Sequence, residues 1–289
     1  MAYGSAADAV DEYLCLGEST ALSCLKHFTE AIISLFGDEY LRRPTAVDLQ
    51  QLLDVGESRG FPRMIGSIDC MHWVWKNCPT AWKGQYTRGS GKPTIVLEAV
   101  ASHDLWIWHA FFEPPDRAPK VKYYVNGNQY RYAYYLTDGI YPKWATFVQS
   151  IPLPQDLKTR CFAKHQESVR KDVERAFGVL QARFAIVKNP ALIWDKQKIG
   201  NIMRACIILH NMIVENERDH YNLVDTTEFE QGDLTRCSQV DMSFSTDLAS
   251  NIGNMIGIRN EIRDRKTHDL LQADLLEHMW HKFGHLEDY

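Results

Sequence analysis

The sequence lacks any apolar run of the roughly 18–20 residues that a transmembrane helix requires, so no membrane protein is expected. The opening residues contain no basic segment followed by an apolar core, and no secretory signal is expected. The chain also lacks a strong net charge, since its formal value is −5 over 289 residues. The apolar fraction of 45% and charged fraction of 24% indicate a globular protein of one or two domains.

Cysteine is sparse and irregularly spaced. The chain contains seven cysteines, an odd number, without the paired short spacings of a zinc site. This usage predicts reduced thiols, buried as small apolar side chains, in a protein of the nucleus or cytosol.

The charge is unevenly distributed along the chain. Asp156–Arg204 contains eleven Lys and Arg against five Asp and Glu, whereas residues 205–289 contain seven against sixteen. A basic segment of this kind could attract phosphates through its local field. A solvated helix face explains the same residues equally well, so both interpretations stay open.

Amphipathic periodicity predicts helices on either side of a β-rich region. An apolar stripe over Glu18–Phe36 predicts a helix that ends at Gly37, and Thr45 with Asp48 forms a capping box for the next. Further helices are predicted over the ranges Gln166–Phe184, Lys196–Glu215 and Arg259–Phe283. The predicted division is a helical segment (1–60), a catalytic-type domain (61–218), an acidic linker (219–257) and a C-terminal helix (258–289).

The middle of the chain is predicted to form strands. Asn126-Gly127 is a strong hairpin signal between two of them. The predicted strands cover Met64–Trp75, Thr94–Ala101, Leu105–Phe112, Val121–Val125 and Tyr130–Leu136. A three-strand meander followed by a further strand and helices predicts an α/β fold with an RNase H-like core and a mixed sheet.

Three acidic residues are the candidate functional groups. Asp69 lies within the first predicted strand, Asp138 follows the last, and Glu174 lies on the helix Gln166–Phe184. Carboxylate oxygens suit Mg²⁺ or Mn²⁺, and a pair of such ions can hold both the attacking and the leaving oxygen of a phosphodiester.

Each acid has an ordinary alternative. Asp69 could point to water from an edge strand, and Asp138 could serve a turn because Thr-Asp-Gly favours one. Glu174 could pair with Arg170 one helical turn away. Asp172, on the opposite border of the same apolar stripe, competes with Glu174 as the acid that edges a cleft.

Other motifs point mainly to structure. The Arg88–Lys92 loop does not match a phosphate-binding pattern and predicts a turn, with a DNA-backbone contact as the alternative. The six tryptophans from Trp73 to Trp144 predict core packing, with base stacking as the alternative. His210 and Asn211 on an apolar helix predict a satisfied hydrogen-bond network.

Five segments together resemble the plant PIF/Harbinger transposases and the nucleases derived from them. The resemblance covers nearly the whole chain and is carried by Gly66–Trp73 (GSIDCMHW), Trp75–Gly84 (WKNCPTAWKG), Tyr135–Pro142 (YLTDGIYP), Val173–Leu180 (VERAFGVL) and Ala205–Met212 (ACIILHNM).

This resemblance implies a DDE-type catalytic domain in which Asp69, Asp138 and Glu174 match the three acids that bind Mg²⁺ or Mn²⁺. The implied activity is phosphodiester hydrolysis on DNA, with a separate Myb/SANT-like DNA-binding protein as partner and the nucleus as location. The alternative is a domesticated, non-catalytic nuclear protein that binds a Myb/SANT-like or chromatin partner.

The chain departs from this family after Phe112. Related sequences have a helical stretch there, but Glu113–Pro119 is seven residues long with three prolines. A parallel crossover needs about a dozen residues or more. The departure therefore predicts loss of that helix, an open or distorted sheet between Phe112 and Tyr134, and impaired catalysis.

Overall fold

The computed structural model describes residues 1, 17–87, 91–111, 119–222, 257 and 260–284. The helices are α1 (Glu18–Tyr40), α2 (Ala46–Ser58), α3 (Thr80–Tyr86), α4 (Leu157–Arg183), α5 (Ala185–Lys188), α6 (Lys196–Asn222) and α7 (Arg265–Phe283). The strands are β1 (Met64–Val74), β2 (Thr94–Ala101), β3 (Ile107–Phe111), β4 (Lys120–Val125), β5 (Asn128–Tyr132), β6 (Tyr134–Thr137) and β7 (Phe147–Gln149). Among these helices, none combines the length and the apolar character that a membrane crossing requires.

Five strands form one mixed sheet in the order β3-β2-β1-β6-β7. Strand β3 is antiparallel to β2, β6 is parallel to β1, and β7 is parallel to β6. Helices accompany this sheet, so the fold is the mixed α/β architecture predicted and is consistent with an RNase H-like core. Strand β1 is central, which places its residues between two hydrogen-bonded neighbours.

Contacts divide the chain into two compact units. The first comprises residues 1–43, 70–112 and 174–229, and the second comprises residues 44–69, 113–173 and 230–289. Strand β1 and helix α4 each contribute residues to both units. The four segments proposed from the sequence stay a prediction, and most of the proposed linker lies outside the described residues.

The second unit has an apolar core beneath the β4–β5 hairpin. Tyr123 and Tyr130 of the hairpin are buried in it, together with Phe61, Met64, Tyr134, Leu136, Phe162, Leu271 and Leu275. Helix α7 is hydrogen-bonded to the hairpin, because Asp274 accepts from the Tyr130 hydroxyl and, at 2.9 Å, from the Asn128 amide. The hairpin is therefore held by α7 as a separate two-stranded sheet.

The sheet is not open after Phe112 but its β1–β6 pairing is irregular, so of the predicted open or distorted sheet only the distortion is observed. Strand β6 pairs directly with β1, with one register irregularity between Met64 and Ser67. The predicted hairpin occupies the segment before β6 and packs on the core, and the predicted loss of the family's helix is confirmed for residues 119–133. Residues 112–118 lie outside the described part of the chain, and residues 119–133 contain no helix.

Two predicted boundaries are also corrected. The predicted strand Tyr130–Leu136 is two strands, because β5 pairs with β4 while β6 pairs with β1 and β7. Helix α1 does not end at Gly37: the Leu41 amide donates to the Gly37 carbonyl at 3.0 Å, and the helix continues to Tyr40. The capping box of Thr45 and Asp48 is confirmed.

The first unit is organised around a buried polar pair on α6. Asn211 donates to the carbonyls of Tyr40 (2.7 Å) and Ile107 (2.9 Å) and accepts from the Ile107 amide (2.9 Å). His210 Nε2 lies 2.8 Å from the Leu105 carbonyl oxygen. The predicted network is confirmed, and core packing is confirmed for four of the tryptophans, Trp73, Trp75, Trp106 and Trp108.

Candidate metal-binding site

Asp69 lies on the central strand with its side chain toward helix α4. The side chain of Ser67, two residues earlier on the same face, donates to the Val169 carbonyl of α4 at 3.0 Å. The Asp69 side chain is only 19% exposed. Because β1 has neighbours on both sides, the edge-strand interpretation of Asp69 is wrong.

Asp138 follows the last residue of β6, as predicted. Ser67 is paired with Leu136 in the parallel β1–β6 ladder, and continuing this register by two residues brings Asp138 beside Asp69. This register places Asp138, directly after the end of β6, next to Asp69 in the middle of β1. The carboxyl end of a parallel strand is a usual place for functional groups in α/β folds. Asp138 also serves a turn, since its Oδ1 accepts from the Ile140 amide at 3.1 Å.

Arg170 of α4 lies against Asp69. The guanidinium Nη1 is 3.7 Å from Asp69 Oδ2, and the Arg170 side chain is 14% exposed. A charge pair with this little solvent is screened less than a surface pair. The guanidinium therefore balances the Asp69 carboxylate, a role that the sequence analysis had not given to Arg170.

The two competing acids of α4 occupy different environments. Asp172 is 2% exposed and binds Arg59, which directly follows α2, through both carboxylate oxygens. Glu174 lies on the exposed surface of α4. Since Asp172 is committed to a buried ion pair, Glu174 is the acid of this helix segment that a solvent-borne ion could reach.

The chemistry of this donor set suits a hard divalent cation, because Asp69 and Asp138 offer carboxylate oxygens. Within the described ranges, however, no group of three His, Cys, Asp or Glu side chains is close enough to hold a metal. Assignment of Asp69, Asp138 and Glu174 to metal binding and catalysis stays a prediction.

Two basic partners were missed by the sequence analysis. Arg170 follows Val169 in the apolar stripe, so its position on the buried side of α4 could have been read from periodicity. Arg59 is 113 residues from Asp172 and follows a predicted helix end, so no local signal linked the two.

Comparison with known proteins identifies the family. The family model described as "Plant transposon protein" matches residues 38–117 and 115–221. No curated protein and no solved structure matches the chain. The matched residues include β1 to β7 and helix α4, with Asp69, Asp138 and Glu174 among them. Because the match covers more than half of the chain, the protein belongs to the plant transposon protein family.

Proposed function

We propose that this protein is a divalent-metal-dependent DNA endonuclease descended from a PIF/Harbinger-type transposase. The observation that carries the proposal is the β1–β6 register, which, continued by two residues, places Asp138 after the end of β6 next to Asp69 of β1. Membership of the plant transposon protein family supports transposase descent. The resemblance of the five motifs supports the narrower PIF/Harbinger assignment.

In this proposal Asp69 and Asp138 hold Mg²⁺ or Mn²⁺, and Glu174 completes the shell of one ion. The bound ion would supply an activated water and stabilise the leaving oxygen of the phosphodiester. Arg170 balances Asp69 while no cation is bound. The Arg170 guanidinium lies beside the proposed site, and its planar donors are suited to a phosphate oxygen.

The test is nicking of supercoiled duplex DNA by the full chain with Mn²⁺, compared with Asp69→Asn. We expect nicking by the wild type and loss of nicking in Asp69→Asn. Lys171→Gln is the matched control, because Lys171 pairs on the surface of the same helix with Glu167 at 3.0 Å. Equal nicking by wild type and Asp69→Asn would refute the nuclease.

A second function is favoured by a specific observation. Arg170 already balances Asp69, and the described residues contain no three-ligand cluster, which suits a protein that keeps the fold without the chemistry. In that case the chain is a nuclear protein that acts through a Myb/SANT-like DNA-binding or chromatin partner. Absence of nicking together with co-purification of a Myb/SANT-like protein would favour it.

Both functions place the protein in the nucleus, with the Myb/SANT-like partner supplying recognition of the DNA sequence. A fluorescent fusion of the full chain should therefore accumulate in nuclei. A fusion confined to the cytoplasm, even when the partner is co-expressed, would count against both functions.

A further inference from the structure

A groove in the first unit lies between α3 and the beginning of α6. It encloses about 540 Å³ and is lined by Trp82, Asp195, Lys196, Gln197, Gly200 and Arg204. We call it the Trp82 groove. Its volume is in the range of ligand-binding clefts, and none of its lining residues belongs to the candidate metal site.

The α3 wall of the groove is fixed from below. No residue of α3 is buried, yet Trp82 and Tyr86 both contact the fully buried Trp75, with ring centroids 6.0 and 5.2 Å away. Trp75 in turn donates to the Ile193 carbonyl at 2.8 Å, in the loop before α6. Trp82 is therefore held in place while 42% of it remains exposed.

The α6 wall carries two basic side chains, Lys196 and Arg204, with Gly200 between them. Lys196, Gly200 and Arg204 are spaced by four residues, so they share one face of the helix. Lys196 Nζ lies 5.4 Å from the centroid of the Tyr86 ring. Lys196 and Arg204 are separated by about 12 Å along the helix axis, so the two cations can contact different phosphates of one strand.

Gly200 keeps the floor of this groove open. Glycine within a helix is unfavourable relative to alanine, and packing does not require it here. A Cβ at residue 200 would meet no heavy atom within 4 Å. The missing side chain thus leaves space beside the helix backbone at this residue.

The electrostatics favour an anionic occupant. Asp195, the acidic residue of the lining, caps α6 by accepting from the Gln197 amide at 2.8 Å. Lys83 of α3 and Lys198 of α6 are exposed near these lining residues in the sequence, as is Trp194, 68% exposed. Cationic side chains interleaved with exposed aromatic rings suit a strand whose phosphates and bases are both accessible.

We infer that the Trp82 groove binds an unpaired stretch of a DNA strand, with a base stacked on Trp82 and phosphates beside Lys196 and Arg204. An unpaired strand is favoured over duplex DNA because a paired base has no face free for Trp82. This inference rests on the proposed function in that it names how the nuclease holds its DNA. It requires no metal ion.

The experiment measures binding of a fluorescein-labelled oligothymidylate of about 12 nucleotides to the full chain by anisotropy, in EDTA. A blunt duplex and an oligouridylate of equal length, together with a basic-domain peptide of a Myb/SANT-like protein, serve as competitors. We expect Trp82→Ala to weaken binding about tenfold and Lys196→Ala and Arg204→Ala each to reduce its salt dependence.

Gly200→Leu is expected to weaken DNA binding without lowering stability, so a loss of binding in this variant is not explained by unfolding. It fills the groove floor and replaces a helical glycine, so we expect binding to fall about tenfold while the Tm stays equal to or above that of the wild type. Gly37→Ala is the matched glycine control, since a Cβ there makes ordinary contacts at 3.8 and 3.9 Å. Lys26→Ala, on exposed α1, is the charge control.

Several results would overturn the inference: no binding of the oligothymidylate, wild-type binding by both Trp82→Ala and Gly200→Leu, or stronger competition by the duplex, the oligouridylate or the peptide. Asp69→Asn alters the proposed metal site but none of the residues that line the Trp82 groove, so it separates the nuclease proposal from the groove proposal. Groove-dependent binding without any nicking by the wild type would remove the nuclease and leave the groove. Nicking that is unchanged in Gly200→Leu would remove the groove proposal and leave the nuclease.

Discussion

The Arg170 guanidinium of α4 lies 3.7 Å from the Asp69 carboxylate of β1. This pair combines the strand acid of the candidate metal site with a cation supplied by the chain itself. A divalent ion that binds Asp69 must therefore compete with Arg170 for the same oxygens.

Replacement of Arg170 should strengthen metal binding. In Arg170→Gln the competing positive charge is gone, and we expect the Kd for Mn²⁺ to fall about fivefold, the effect of losing roughly 1 kcal/mol of charge interaction. Calorimetric titration of the full chain with Mn²⁺ measures this. Lys171→Gln is the control and should leave the Kd unchanged. Weaker binding in Arg170→Gln would instead assign Arg170 to holding Asp69 in position.

Disruption of the Arg59–Asp172 pair should destabilise the protein. Asp172 is 2% exposed, so Asp172→Asn leaves the Arg59 charge without its counter-ion, and we expect a loss of about 3 kcal/mol in the free energy of unfolding. Urea denaturation followed by circular dichroism measures the loss. Glu167→Gln, which breaks an exposed pair on the same helix, should cost less than about 1 kcal/mol. Equal costs for the two variants would contradict a special role of the buried pair.

Asn211 should be among the most sensitive residues of the first unit. Asn211→Leu preserves approximate size but removes three hydrogen bonds and leaves backbone groups of Tyr40 and Ile107 without this partner. We expect a loss of about 3 kcal/mol or more, measured as the shift of the urea midpoint. Gln50→Ala, which removes the surface bond to Asp54, should shift the midpoint little. A small shift in Asn211→Leu would show that the unit can rearrange around the lost amide.

Acid should destabilise the fold through buried histidines. Burial lowers the pKa of His210 and of His268, despite backbone hydrogen bonds that act in the opposite direction. The unfolded chain therefore binds more protons than the folded protein below the ordinary histidine pKa of about 6.5. The stabilising contribution is present above that pH and is lost as the pH falls.

Thermal melts between about pH 7.5 and pH 5.5 should show this as a falling Tm. His268→Gln, which retains a side-chain donor for the Trp144 and Phe147 carbonyls, should flatten the dependence. His27→Gln, on the exposed α1 surface, should not. A Tm independent of pH over this interval in the wild type would contradict the argument.

Much of the fold follows from local sequence patterns. The observed β1 and β2 agree with the predicted strands, because both segments are rich in apolar and β-branched residues, and the Thr45 cap follows from its own side-chain chemistry. The break between β5 and β6 after Tyr132 could not be predicted from the sequence, because the alternation from Tyr130 to Leu136 is continuous. Only the choice of partners, β4 for one half and β1 for the other, divides that segment.

The candidate site is predictable to the same extent. The placement of Asp138 next to Asp69 follows from the parallel pairing of β1 and β6, and the order of the two acids along the chain suggested it. The order of the acids did not predict that Arg170 pairs with Asp69 or that Arg59 pairs with Asp172. Both pairs depend on how α4 is rotated against its neighbours. The helix end at Gly37 was also mispredicted, because the Gly37 carbonyl accepts from the Leu41 amide and the helix continues to Tyr40.

The most direct test of the account is Mn²⁺ binding to the full chain, followed by the decrease of the free-ion electron paramagnetic resonance signal without DNA. We predict saturable binding by the wild type and at least about tenfold weaker binding in both Asp69→Asn and Asp138→Asn, since each removes a charged oxygen ligand. Wild-type affinity in either variant would contradict an ion shared by Asp69 and Asp138.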